Sequence, residues 1–166
     1  LAVSESGQPL VEGAVFRRAV TPVVTTTGGT SPVTVTITLD GTAWTSGTPV
    51  TTEGAHVLVA TAADSSTPAQ QLTATRHFTI DTQGPVVTVL SPLPGAVLTA
   101  SPVVVTGTAA GATTLTLFGA PVALGLGDAF TVSVPLAEGL NPLVFLARDA
   151  AGNESTLTLP VVLDTL

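Results

Sequence analysis

With no cysteine among 166 residues, four arginines, no lysine and a formal charge of −7, the chain can build neither a disulfide framework nor a thiolate metal centre. The same charge makes it a poor partner for nucleic acid or an anionic membrane surface, and no apolar run approaches the roughly 20 residues of a membrane-spanning helix, so neither nucleic-acid binding nor membrane insertion is expected. Only 9% of residues are charged, so the fold must be held by packing of the Thr, Val and Ala runs that Gly and Pro interrupt.

In chain order, Leu1 to Ser4 reads as a short first strand, with Gly7-Gln8-Pro9 and Glu12-Gly13 as the loop after it. Thr/Val alternation predicts strands over Val20 to Thr26 and Val33 to Leu39, and Asp40-Gly41 is a hairpin turn into Thr42, Ala43 and Trp44. Val50 to Thr52 reads as a further short strand. Glu53-Gly54 then turns into a strand from His56 to Ala63, whose alternation places His56, Leu58, Ala60 and Ala62 on one face. A Ser/Thr/Pro-rich loop from Asp64 to Ala69 leads to a strand from Leu72 to Ile80, which ends in Asp81-Thr82.

The second half rewrites this plan. Glu138-Gly139, an alternating apolar run and Asp149 answer Glu53-Gly54 and its run to Asp64, and Asp164-Thr165 answers Asp81-Thr82. Strands are predicted over Val86 to Leu90, Val103 to Thr108, Thr113 to Phe118, Val122-Ala123, Phe130 to Val134, Leu143 to Arg148 and Leu157 to Leu163, with a Pro94-Gly95 turn. Gly107, Gly111, Gly119, Gly125 and Gly127 read as turn glycines, and Pro135 and Pro142 as strand-end prolines. In Asp149-Ala150-Ala151-Gly152-Asn153, the aspartate is placed to accept amide hydrogens of its own turn.

The fold class that follows is all-β: two tandem β-sandwich domains, 1–82 and 83–166, each of seven to eight short antiparallel strands. The linker Thr82-Gln83-Gly84-Pro85 is too short to act as a flexible coil, so restricted swing is expected. Because Asp164-Thr165 stands where Asp81-Thr82 precedes the second unit, the parent chain is expected to continue into further repeats, which would be its neighbours.

Both units resemble bacterial immunoglobulin-like domains found as tandem repeats in surface and secreted proteins. Unit one does so through Leu39-Asp40-Gly41, Ser46-Gly47-Thr48, Glu53-Gly54 and Phe78-Thr79-Ile80-Asp81-Thr82. Unit two is similar to the immunoglobulin-like B domain of glucodextranase through Ser91-Pro92, Thr106-Gly107, Val134-Pro135-Leu136, Glu138-Gly139-Leu140-Asn141 and Asp149-Ala150-Ala151-Gly152-Asn153. Unit one departs in having Ser65-Ser66-Thr67-Pro68 after Asp64, and His56 where an aromatic is common. The resemblance implies immunoglobulin-like sandwiches in a bacterial extracellular or cell-surface setting and carries no catalytic residue.

Each candidate site also has a plainer reading. A hydrolytic or metal role for His56 and His77 would need convergence with Asp64 or Glu53; a structural His56 and a solvated His77 is the simpler reading. Calcium is the most credible ion, with Asp81 and Asp164 at equivalent junction positions and Asp149 with Asn153 in a loop, but the ion needs six to eight oxygens and Asp149 to Asn153 also reads as a simple turn. Trp44 is the one candidate ligand-binding residue, able to stack on a sugar or to pack over the sandwich edge. The five Phe are read as core. Asn153-Glu154-Ser155 matches a glycosylation acceptor. The function expected is a non-catalytic spacer or stalk; the alternatives are an adhesin module recognising a polysaccharide or protein, and accessory domains of a secreted glycan-degrading enzyme.

Overall fold

Sixteen strands and one three-residue 3₁₀ turn make up the regular structure in the computed structural model, which describes residues 1–166. The chain divides into two compact units, Leu1–Thr82 and Gln83–Leu166.

In unit 1 a three-stranded sheet has the order β2-β1-β4, formed by β1 (Ala2–Glu5), β2 (Gln8–Pro9) and β4 (Pro22–Thr25). A five-stranded sheet has the order β3-β8-β7-β5-β6, formed by β3 (Ala14–Phe16), β5 (Thr34–Leu39), β6 (Thr42–Ala43), β7 (Gly54–Ala63) and β8 (Gln71–Ile80). The expected strand at Val50 to Thr52 is reduced to a single bridge between Val50 and Val20. Period-two alternation orients β7: His56, Leu58 and Ala60 are buried, while Thr61 on the other face meets Thr73 of β8 through their hydroxyls at 3.2 Å. Val3, Leu10, Val20, Val50, Phe78 and Ile80 complete the core, with Trp44 packed against it.

Unit 2 repeats the strand order of the five-stranded sheet, while its three-stranded sheet is ordered differently. The sheet β14-β11-β9 is built from β9 (Val86–Ser91), β11 (Val103–Ala110) and β14 (Ala129–Val134). The sheet β10-β16-β15-β12-β13 is built from β10 (Val97–Leu98), β12 (Thr114–Leu117), β13 (Ala120–Val122), β15 (Gly139–Arg148) and β16 (Glu154–Leu163). Val105, Phe130 and Val134 of the first sheet meet Leu117, Leu143, Phe145 and Val161 of the second, and the Phe130 and Phe145 ring centroids lie 5.4 Å apart. Two sheets closed over such a core, in this strand order, make each unit an immunoglobulin-like β-sandwich.

All pairings are antiparallel except one in each unit, where β3 runs parallel to β8 and β10 parallel to β16. The first part of each unit therefore crosses from one sheet to the edge of the other and lies alongside the last strand.

Four residues differ from the expectation. Gly107 lies within β11 and not in a turn; a Cβ there would overlap the Thr88 carbonyl and come within 2.7 Å of Phe130 Cζ, so its role is close approach. Gly125, at φ −101°, likewise uses no left-handed conformation. Pro142 falls inside β15, opposite Pro160, where neither ring nitrogen is needed by the ladder between those two strands. Phe118 is not core: it is 63% exposed at the Phe118-Gly119 hairpin tip, with φ 51°.

Candidate functional site

The repeated Glu-Gly and Asp-Thr motifs, far apart in sequence, meet in space. Glu53 stands just before β7, and its carboxylate accepts the Thr82 backbone amide at 3.0 Å and the Thr82 hydroxyl. In unit 2, Glu138 accepts the Thr165 amide at 2.8 Å and the Thr165 hydroxyl at 3.0 Å. Gly54 and Gly139, with φ of 110° and 88°, turn the chain into each strand, a conformation that a side chain would resist. The residue before each threonine extends the parallel pair: Asp81 N–H donates to Phe16 O at 2.9 Å, and Asp164 N–H to Leu98 O at 2.8 Å. The exit of each sandwich is thus fastened to its own fold by two elements.

Asp64 and Asp149 organise the opposite ends of β7 and β15. The Asp64 carboxylate accepts the amides of Thr30, Ser66 and Gln70 at 3.0 to 3.2 Å and the Ser66 hydroxyl at 2.5 Å, and the Ser66 and Gln70 bonds hold its pKa far below the usual carboxylate range. Asp149 accepts the Asn153 backbone amide at 2.8 Å and the Asn153 side-chain amide at 3.0 Å. Partial desolvation opposes ionisation of Asp149, but these donors prevail and its pKa is lowered. Asn153 is 9% exposed and also donates to Gln83 O at 3.3 Å, so the acceptor motif is a turn whose amide is already engaged.

Asp81 is half-buried and Asp164 exposed beside the exit clamps, and no group of three or more His, Asp or Glu side chains suited to a metal ion is present. Of the calcium candidates, Asp149 and Asn153 are joined to each other by hydrogen bonds.

His56 is 5% exposed and lies 5.3 Å from the Phe78 ring, its Nδ1 2.8 Å from Asp40 Oδ2 and its Nε2 2.9 Å from Thr52 O. Both partners are acceptors, so this arrangement favours the protonated ring, in which both nitrogens donate. Burial disfavours that charge, but Asp40 and Thr52 outweigh it and the pKa is raised. Asp40 also accepts the Val57 amide at 2.8 Å, and its pKa is lowered by these bonds against partial desolvation. With both nitrogens committed, the ring itself has no free lone pair with which to act as a base. His77 is exposed and 2.5 Å from Glu12, away from Asp64 and Glu53 in the hydrogen-bonding scheme. Trp44 is half-buried, its amide donating to Ile37 O at 2.9 Å. Buried Glu5, which receives Arg18 at 2.7 Å and the Thr21 amide at 2.7 Å, gave no sequence signal.

No family model matches the chain, and no curated protein does. Among solved structures, the fibronectin(III)-like modules of Clostridium thermocellum CbhA are similar at 15% identity and a TM-score of 0.44, over 98% of this chain and 94% of that one. SGBP-B of the Bacteroides ovatus mixed-linkage glucan utilization locus, in complex with a mixed-linkage heptasaccharide, is similar at 13% identity and a TM-score of 0.32, over 96% of this chain and 45% of that one. Protocadherin gammaB7 EC3-6 is similar at 16% identity and a TM-score of 0.42, with coverage of 98% and 52%.

Proposed function

We propose that the chain supplies two non-catalytic spacer modules to a larger bacterial surface or secreted protein. The observation that carries this reading is the doubled exit device: a parallel strand pair at the sheet edge, closed by a Glu–Thr clamp, in both units. Tension applied along the chain pulls the parallel strands past one another, so their hydrogen bonds are loaded together and not unzipped singly. The clamp keeps the last residues from peeling away. A cysteine-free, lysine-free acidic surface suits an extracellular setting, and the motifs of unit 2 favour the glucodextranase-type branch of these modules.

Single-molecule extension of the whole chain tests the reading. Two discrete, high-force events, each releasing one unit, are expected, and Glu53→Ala and Glu138→Ala each lower the force of one event. Featureless extension at low force would overturn it.

A further inference from the structure

The two sandwiches differ in loop length at the end opposite the exit clamps. In unit 2, β11 passes to β12 through three residues, 111–113, whereas in unit 1 β4 passes to β5 through eight, 26–33. The β7–β8 loop, 64–70, is likewise two residues longer than the β15–β16 loop, 149–153. The same strands are joined at the same end in unit 2 with less chain, so connectivity does not require the added residues.

These longer loops border a depression of about 280 Å³, with Thr27, Gly28, Val33, Asp64, Gln71 and Leu72 in its wall. The wall is held before anything binds. Asp64 fixes the Thr30 amide, Ser65 donates its hydroxyl to Ser31 O at 2.8 Å, and Gly29, at φ 90°, lies so close that a Cβ would stand 3.2 Å from Val33 Cγ2 and 3.4 Å from Asp64 Cβ. Asp64 spends its oxygens on loop donors.

From this we infer that the loop end of unit 1 is a binding site for a neutral sugar residue. Leu1 also lines the depression, whose side chains include no Arg, Lys or His to attract an anion, and its one carboxylate is already satisfied, which disfavours a cation. Hydroxyl, primary-amide and backbone groups surround an aliphatic floor of Val33, Ala62 and Leu72. Hydroxyls and amides both donate and accept, as the hydroxyls of a sugar do, and the floor matches the apolar C–H face of a pyranose ring. The volume suits one sugar residue of a chain. Trp44 does not line this depression, so the site is distinct from the one that an exposed indole would make.

The test is amide-shift NMR of the whole chain, titrated with glucose, galactose, mannose, N-acetylglucosamine and their short β- and α-linked oligomers, to ~50 mM because a shallow neutral site gives millimolar affinity. At least one probe is expected to cause saturable shifts confined to residues 26–33 and 62–72. Gln71→Ala and Leu72→Ala, both at exposed positions, should weaken that binding roughly tenfold each with melting unchanged. Absence of saturable shifts with every probe, shifts centred elsewhere, or undiminished binding by both variants would overturn the site. None of these results bears on the force-extension test of the spacer reading.

Discussion

One five-stranded sheet plan is built here twice, over different interiors. Unit 2 closes over an apolar core in which Phe145, Ala147 and Val161 are wholly buried, whereas unit 1 admits a charged pair at its core margin, His56 with Asp40, and a buried Glu5 facing Arg18. At the position of His56, counted from the shared Glu-Gly, unit 2 has Asn141, whose side-chain amide donates to Ala137 O and Gly139 O at 2.8 Å. Strand order follows from alternation, turns and exit clamps common to both units. The polar residues set what each unit responds to.

The largest contrast expected is from Gly107→Ala. Its Cβ would strike backbone and a packed ring, costing unit 2 about 3 kcal/mol or more. Calorimetry should show the unit 2 transition lowered while the unfolding of unit 1, followed through Trp44 fluorescence, stays in place.

Next comes His56→Ala, which leaves Asp40 without its imidazolium and should cost unit 1 about 2 kcal/mol. The accompanying pH dependence has a definite sign. His56, raised in the fold from 6.5, contributes stability that is full below 6.5 and is lost as pH rises through the folded value; Asp40, lowered from 3.8, contributes above 3.8 and loses it as pH falls through its folded value. The Trp44-detected urea midpoint should therefore fall as pH rises above 6.5, and His56→Asn should flatten that limb. Unit 2 has no histidine and should lack it.

Glu53→Ala and Glu138→Ala should act alike, each lowering the melting temperature of its own unit by roughly 5 °C, as expected for the loss of about one net hydrogen bond. Unequal effects would show that the clamps are not equivalent. The smallest effect is opposite in sign. Phe118→Asn, at a left-handed hairpin position that asparagine tolerates, should stabilise unit 2 by about 0.5 kcal/mol, measured by urea titration.

Much of the sandwich was legible because burial imposes period two on β7, β8, β15 and β16, and turns are written in residues such as Asp40-Gly41. The parallel strands β3 and β10 were not: two or three residues carry no period, and pairing with a distant strand leaves no local mark. Phe118 misled because apolarity alone does not distinguish a core residue from a turn tip. Gly107 was read through its conformational freedom when its missing side chain is the relevant property. The carboxylates at Glu53 and Glu138 stood out as a repeat, but what they hold became visible only with the ends of β8 and β16 beside them. The loop-end depression gave no motif at all, since its wall is assembled from segments some forty positions apart.

The exit clamp also bears on heredity. Glu53 holds Thr82 and Glu138 holds Thr165, so each copy carries the fastening for its own last residues and borrows none for that purpose from a neighbour. A gene segment coding for such a unit can be duplicated or lost in frame without stranding half of a fastening in the copy that remains. Repeat number is then free to drift, while the sequence inside each copy diverges, as the histidine of one and the asparagine of the other already have.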